Sequence, residues 1–187
     1  MTTIVGKNSP PTGEPPAIAL WNPKYPHNVG CAIRAASCFG FNQVWFSGNR
    51  VSLTPDKKYR LPREERMRGY KDVNLYQYDN FFDQFPKLPI VAIELKDNSE
   101  NLLTFEHPDK ALYVFGPEDG SLNGVALRHC HRFITIPTKH CTNLSAAVYI
   151  VMYDRMMKRY LNGQDELKPI NEYLTEGRGI DEKEIVF

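Results

Sequence analysis

Between Ala17 and Phe46 two short apolar runs flank one segment of helical periodicity, and that arrangement admits little besides a parallel βαβ unit. The first run, residues 17–21, ends at Asn22-Pro23. Asn28 is placed to cap a helix over residues 29–39, because a short side-chain oxygen can take an orphan amide of the first turn. Val29, Ile33, Ala36 and either Phe39 or Ala32 then face inward, and Gly40 stops the helix. Gln43-Val44-Trp45-Phe46 is the second run. Parallel strands need a crossover of this kind, so the unit commits the chain to a sheet covered by helices. No G-x-G-x-x-G follows the first strand, which disfavours a dinucleotide fold of the usual kind.

The alternation continues to the end of the patterned region. Strands are predicted over residues 73–78, 89–95, 111–115 and 133–136, with a short helix over 80–85 that buries Phe81, Phe82 and Phe85. A second short helix is predicted over 122–130, and another over 62–68. Pro137 ends the last strand, a polar loop of residues 138–142 follows, and Asn143 or Ser145 can cap the last helix. In that helix Leu144, Val148, Val151 and Met152 recur at helical spacing, with Ala147 and Tyr153 beside them. The fold class is α/β, a mostly parallel sheet with helices on both faces. Ligands collect at the carboxyl ends of strands in such sheets, which directs attention to three loops: 22–28, 116–121 and 137–143.

Composition bounds the class. At 187 residues with 42% hydrophobic content the chain reads as one domain with a proper core. We expect a flexible leader over 1–16, the folded domain over 17–160 and a polar, loosely docked tail over 161–187. No apolar run is long enough to span a membrane and no secretory signal opens the chain, so the expectation is a cytoplasmic protein without a membrane partner. The net charge is only +1, yet seven basic residues stand between Lys57 and Lys71 against Glu64 and Glu65. Taken alone, that segment reads first as a solvated loop. Cys31, Cys38, Cys130 and Cys141 show no C-x-x-C spacing and are expected to be reduced, with Cys31 and Cys38 on a packed helix. His129-Cys130-His131 with His140-Cys141 invites a zinc reading, but neighbours on a strand point to opposite faces, and no metal is assigned.

Two residues carry open alternatives. Arg34, six residues after Asn28, is either an exposed helix arginine or an anion clamp beside a helix N-terminus, and the spacing leaves these even. Glu118 is either the N-cap carboxylate of the 122–130 helix or a site carboxylate.

Together three motifs resemble the SpoU (TrmH-like) branch of the SPOUT superfamily of RNA methyltransferases. N-x-G-x-x-x-R matches Asn28, Gly30 and Arg34; an apolar strand ending in G-x-E with a Gly-Leu turn matches Gly116, Glu118 and Leu122; I-P followed by an N-x-S helix start matches Ile136, Pro137, Asn143 and Ser145. They stand in the family's order and cover residues 17–160, nearly the whole folded part. The sequence departs from the pattern in EDGSL, where many members carry one more residue before the Gly-Leu pair, and in a short third loop with Thr138 in place of the usual Met.

The resemblance implies a C-terminal deep trefoil knot and S-adenosylmethionine as the methyl donor, bound there largely by backbone groups. By position these come from Ile93, Glu94, Gly116, Ile136, Asn143, Leu144 and Ser145. It also implies a homodimer with a shared active site, and methylation of a ribose 2′-hydroxyl of RNA. Arg34 takes positioning and electrostatic duties, and Asn28, Glu118, Asn143 and Ser145 order the pocket and the hydroxyl. A minimal catalytic domain of this kind looks most like the branch acting on tRNA, ahead of rRNA. Arg63, Arg66 and Arg68 would then track RNA phosphates. The competing readings are a non-catalytic knotted RNA-binding or assembly protein, and an α/β protein binding some other anionic metabolite.

Overall fold

A computed structural model describes residues 4–5, 12–51, 73–169 and 172. Among these residues one sheet of eight strands forms the centre, and every pairing in it is parallel. In chain order the strands are β1 (Ile4–Val5), β2 (Ala17–Leu20), β3 (Gln43–Phe46), β4 (Asn74–Gln77), β5 (Ile90–Ile93), β6 (Glu100–Asn101), β7 (Leu112–Phe115) and β8 (Arg132–Thr135). The helices are α1 (Pro26–Cys38), α2 (Gly124–Leu127) and α3 (Leu144–Leu161). Across the sheet the order is β1-β4-β3-β2-β7-β5-β8-β6, so β8 lies between β5 and β6, two strands that are consecutive in the chain.

Strands buried on both faces need apolar residues almost throughout, and the sequence supplies them in β2, in β7 and in β3 apart from Gln43, whose side-chain oxygen accepts the Trp45 indole N–H at 3.0 Å. Ile18, Leu20, Val44, Phe46, Tyr113 and Phe115 point to the face covered by α1 and α3. Ala17, Ala19, Trp45, Leu112 and Val114 point to the other. Among the described residues, helices of full length cover only the first face. The second is sealed by Phe81 and Phe82 from a 3₁₀ turn (Phe81–Gln84), by Phe85 directly after it, and by Leu122 and Ala126 around α2. Aromatic rings pack there edge to face, as Phe85 does on Trp45 at 5.5 Å.

Several boundaries differ from expectation, each for a local reason. Helix α1 begins at Pro26, whose fixed φ and missing N–H suit a first helical position, so Tyr25 is the cap residue and Asn28 lies buried inside the first turn. Gly40 follows the helix with φ +73°, the left-handed stop its position suggested. The helix predicted over 122–130 is the single turn α2, capped by Asn123, whose side-chain oxygen accepts the Ala126 amide at 3.0 Å. It ends early because the His131 amide turns back to the Ile90 carbonyl at 2.9 Å and starts β8. On α3, Tyr153 is 56% exposed and belongs to the outer face. Ile4 and Val5 pair with Leu75 and Tyr76, so the segment read as a flexible leader supplies an edge strand. The start of the tail is docked: Arg159 holds Asp165 through two bonds of 2.7 and 2.8 Å. Burial of the α1 cysteines is partial, with Cys31 half-buried and Cys38 exposed, and none of the four cysteines is in a disulfide. Among the described residues, no helix is long and apolar enough to cross a membrane. The predicted helix over 62–68 and the basic segment containing Arg63, Arg66 and Arg68 lie outside the described residues.

Candidate active site

A cleft of about 820 Å³ opens at the carboxyl ends of β5, β7 and β8 and at the first turn of α3. Ile93, Ile136 and Leu144 line it with apolar surface, and Gly116 leaves its wall without a side chain. A Cβ on Gly116 would come no closer than 3.5 Å to the Leu122 nitrogen, an ordinary contact, so the fold itself tolerates more than glycine there. Glu94 leaves β5 and turns its carboxylate into a bracket. One oxygen accepts the Leu122 amide at 2.8 Å and the other the Leu95 amide at 3.0 Å, which joins the loop after β5 to the far end of the turn after β7. Glu94 therefore shapes the cleft through a side chain already engaged.

Glu118 is the junction of the three motifs. It does not cap α2. Its carboxylate accepts the backbone amides of Lys24 at 2.7 Å and Tyr25 at 3.2 Å, and the Asn28 side-chain amide at 2.5 Å. A carboxylate there also meets the positive end of α1. Because Glu118 only accepts, Asn28 must donate to it, which leaves the Asn28 carbonyl oxygen to accept from Asn143 Nδ2 at 3.4 Å. Asn143 Oδ1 in turn accepts the Ser145 and Ala146 amides, at 2.9 and 3.3 Å, and the Ser145 hydroxyl at 2.6 Å. One carboxylate, in the turn after β7, thereby sets the orientation of two amides and a hydroxyl at the first turns of α1 and α3. At its end Ser145 Oγ has given its proton to Asn143 and keeps its lone pairs as acceptors.

Of the predicted residues, Ile93, Glu94, Gly116, Glu118, Ile136 and Leu144 line the cleft. Asn28, Asn143 and Ser145 stand beside it, joined through Glu118. Arg34 lies on the exposed face of α1 and is not among the lining residues. Three residues of the zinc reading have structural partners: His129 stacks on Phe82 at 4.4 Å, His131 Nδ1 accepts the Ile90 amide at 3.0 Å, and Cys130 Sγ donates to the Ala126 carbonyl at 3.3 Å. Burial pushes the Cys130 thiol up to about 11. Sequence reasoning missed Asp119, which lines the cleft and pairs with Arg50 and Lys24. Contacts from Arg50 and then Lys24 hold its carboxyl down at about 2. No spacing rule connects residues 50 and 119, so no sequence signal was there to find.

The profile of the SpoU rRNA Methylase family matches residues 15–153. In sequence the chain is similar to the tRNA (cytidine-2′-O-)-methyltransferase TrmJ of Methanocaldococcus jannaschii, with 25% identity over 78% of this chain and 69% of that one. In structure it is similar to the A. aeolicus TrmH/SpoU tRNA modifying enzyme, with a TM-score of 0.68 at 18% identity, covering 90% of this chain and 89% of that one. It is also similar to an AdoMet-bound rRNA methyltransferase from Sinorhizobium meliloti, with a TM-score of 0.64 at 19% identity, covering 76% of this chain and 56% of that one.

Proposed function

The chain belongs to the SpoU rRNA Methylase family, and from that premise we propose that it is an S-adenosylmethionine-dependent methyltransferase acting on a ribose 2′-hydroxyl of RNA, with tRNA as its substrate. The observation that carries this reading is the hydrogen-bonded series Glu118, Asn28, Asn143 and Ser145, which brings the three motifs together at the edge of one cleft. The 2′-O-methylation named for the similar TrmJ protein, and its tRNA substrate, support the substrate class.

The cleft suits the donor. Ile93, Ile136 and Leu144 offer apolar surface to an adenosine, and Glu94 and Glu118 outweigh Lys139 among the charged lining residues outside the Asp119 ion pairs. That balance favours a ligand carrying positive charge and opposes an anionic metabolite. Ile93, Glu94, Gly116, Ile136, Leu144 and the Asn143–Ser145 helix start are the residues that would hold it. Bound there, S-adenosylmethionine supplies an electrophilic methyl group on a sulfonium.

The protein's own task is to align a weak nucleophile and ease its proton away. Ser145 Oγ, with its own proton committed to Asn143, can accept a hydrogen bond from the ribose hydroxyl. Arg34 stays protonated, so its part is to stabilise the developing alkoxide or to hold the neighbouring phosphate. Its place on the outer face of α1, away from its own cleft, supports a homodimer in which one subunit's arginine serves the other's site. Helix α3 offers a surface for such pairing: Ile150, Tyr153, Met157 and Leu161 lie at helical spacing and are 37 to 76% exposed. The insertion of β8 between β5 and β6 supports the trefoil knot. Arg63, Arg66 and Arg68, outside the described residues, are proposed to follow RNA phosphates.

The test is methyl transfer from labelled S-adenosylmethionine to bulk tRNA and to rRNA, with Arg34→Ala beside the wild type. We expect label in the ribose of tRNA, reduced about 100-fold in the variant, the scale of losing a transition-state charge stabiliser. Label in rRNA alone would move the substrate, RNA binding without label would make the protein non-catalytic, and normal turnover by Arg34→Ala would remove that residue from the chemistry.

A further inference from the structure

Three loops meet at the mouth of the cleft through one carboxylate that the hydrogen-bonded series does not use. Asp119, in the turn after β7, accepts both terminal nitrogens of Arg50 at 2.9 and 2.7 Å, and Lys24 Nζ approaches it to 3.3 Å. Arg50 also donates to the Asn22 carbonyl at 3.4 Å. Lys24 follows β2 and Arg50 follows β3, so Asp119 gathers the carboxyl ends of β2, β3 and β7.

Two of those loops have other anchors. Asn22 is left-handed at φ +46° and donates its amide to Ser47 Oγ at 3.0 Å. Gly48 is left-handed at φ +79°, and a Cβ there would lie 2.2 Å from Asn22 Oδ1; its amide is held by Asp79 at 2.9 Å. The turn after β7 is anchored on either side of Asp119 by the Glu118 carboxylate and the Leu122 amide. Asp119 and Gly120, between those anchors, both line the cleft.

The geometry points to Asp119 and Arg50 as positioning residues for the methyl donor: their ion pair, with Lys24 as the second cation, holds the turn after β7 in its ligand-binding shape. The inference rests on the reading that S-adenosylmethionine occupies this cleft. Both side chains are partly open to solvent, 28% for Arg50 and 45% for Asp119, where ion pairs add little to folding. A two-pronged guanidinium–carboxylate contact does fix orientation, and a turn held at one angle binds its ligand without first having to be ordered. The effect therefore falls on ligand affinity. Asp119 remains ionised across the neutral range, so the pair is not a pH switch.

The experiment measures the dissociation constant of S-adenosylhomocysteine by calorimetry, with the melting temperature, for the full chain and for Arg50→Asp, Asp119→Arg and the double exchange. Each single variant is expected to bind about fivefold more weakly, with its melting temperature within about 2 °C of wild type. The double exchange, and Arg50→Lys in part, should restore affinity. Wild-type binding should weaken as salt is raised, and the single variants should lose part of that dependence. Equal affinity in the single variants would overturn the inference, as would weakened binding that the double exchange fails to restore or that follows a lowered melting temperature. A wild-type protein that binds no S-adenosylhomocysteine would bring down the functional reading itself, a result distinct from all of these.

Discussion

The two ends of α3 handle polar groups in opposite ways. At its start, Asn143 gathers amides and a hydroxyl into a series that ends on the open acceptor of Ser145 at the edge of the cleft. Toward its other end, Asp154 lies 8% exposed and accepts from His107 Nε2 at 2.8 Å and from Lys158 at 2.7 Å. His107 Nδ1 accepts the Tyr113 hydroxyl at 2.9 Å, and Lys158 reaches the carbonyls of Leu102 and Phe105. This second network is closed: its groups spend their bonds on one another, and Tyr113 is buried under the sheet face. A closed, buried network holds secondary structure in place, here the 102–104 turn and β7 against α3. An open one keeps a bonding position for something else. Damage to the closed end should therefore register in stability, and damage to the open end in chemistry.

The largest effect expected is that of Asp154→Ala. It strands Lys158 and His107 together, and breaking a buried pair from one side costs about 3 to 5 kcal/mol. Urea unfolding should show that loss, while whatever remains folded still methylates RNA at near the normal rate per active site. A variant that keeps its stability but loses turnover would invert the comparison.

Next comes acid. Burial holds the His107 imidazole down at about 4, against the opposing pull of Asp154, so the folded protein keeps it neutral well below the ordinary histidine range. A group whose folded pKa lies below its unfolded value of 6.5 contributes stability that is whole above that value. The contribution is lost as pH falls from there toward 4, amounting to about 3 kcal/mol across the interval. The urea midpoint should fall over that window, and His107→Gln should flatten the slope. An unchanged slope in the variant would assign the acid sensitivity to another group.

The same contrast explains what the sequence could disclose. Open-end residues belong to local signatures: Asn143 sits where a cap must sit, Ser145 two places on, and Glu118 just past a strand. The buried strands β2, β5 and β7 were legible because they are apolar at every position, and α1 because its inward residues repeat at helical spacing. Position relative to Pro26 was misjudged for Asn28, since a proline that suits a first helical turn outcompetes a cap two residues later. The 122–130 segment had helix-forming composition, but the return of His131 to Ile90 shortened it, and that pairing is a tertiary fact. His107 with Asp154, and Arg50 with Asp119, are 47 and 69 residues apart. Nothing periodic relates such positions, and only the strand order brings them together.

The smallest stability effect belongs to the open end, and it separates two duties of one residue. Asn143 caps α3 and also orients Asn28, so Asn143→Ala should cost about 1 kcal/mol through the lost cap while removing most methyl transfer. Asn143→Asp divides these roles. Aspartate caps as well as asparagine and carries its charge at the favourable end of the helix, so stability should stay within about 0.5 kcal/mol of wild type. It cannot donate, however, and would set a carboxylate oxygen against the Asn28 carbonyl that now accepts from Asn143. Asn28 would be pulled between that contact and Glu118, and turnover should fall at least tenfold in a fully folded enzyme, the scale of one displaced charge-assisted bond. Melting curves and initial rates measured on the same preparations decide it: a stable Asn143→Asp protein with normal rates would show that the contact between Asn28 and Asn143 is incidental, and that the cap alone is what the open end of α3 requires.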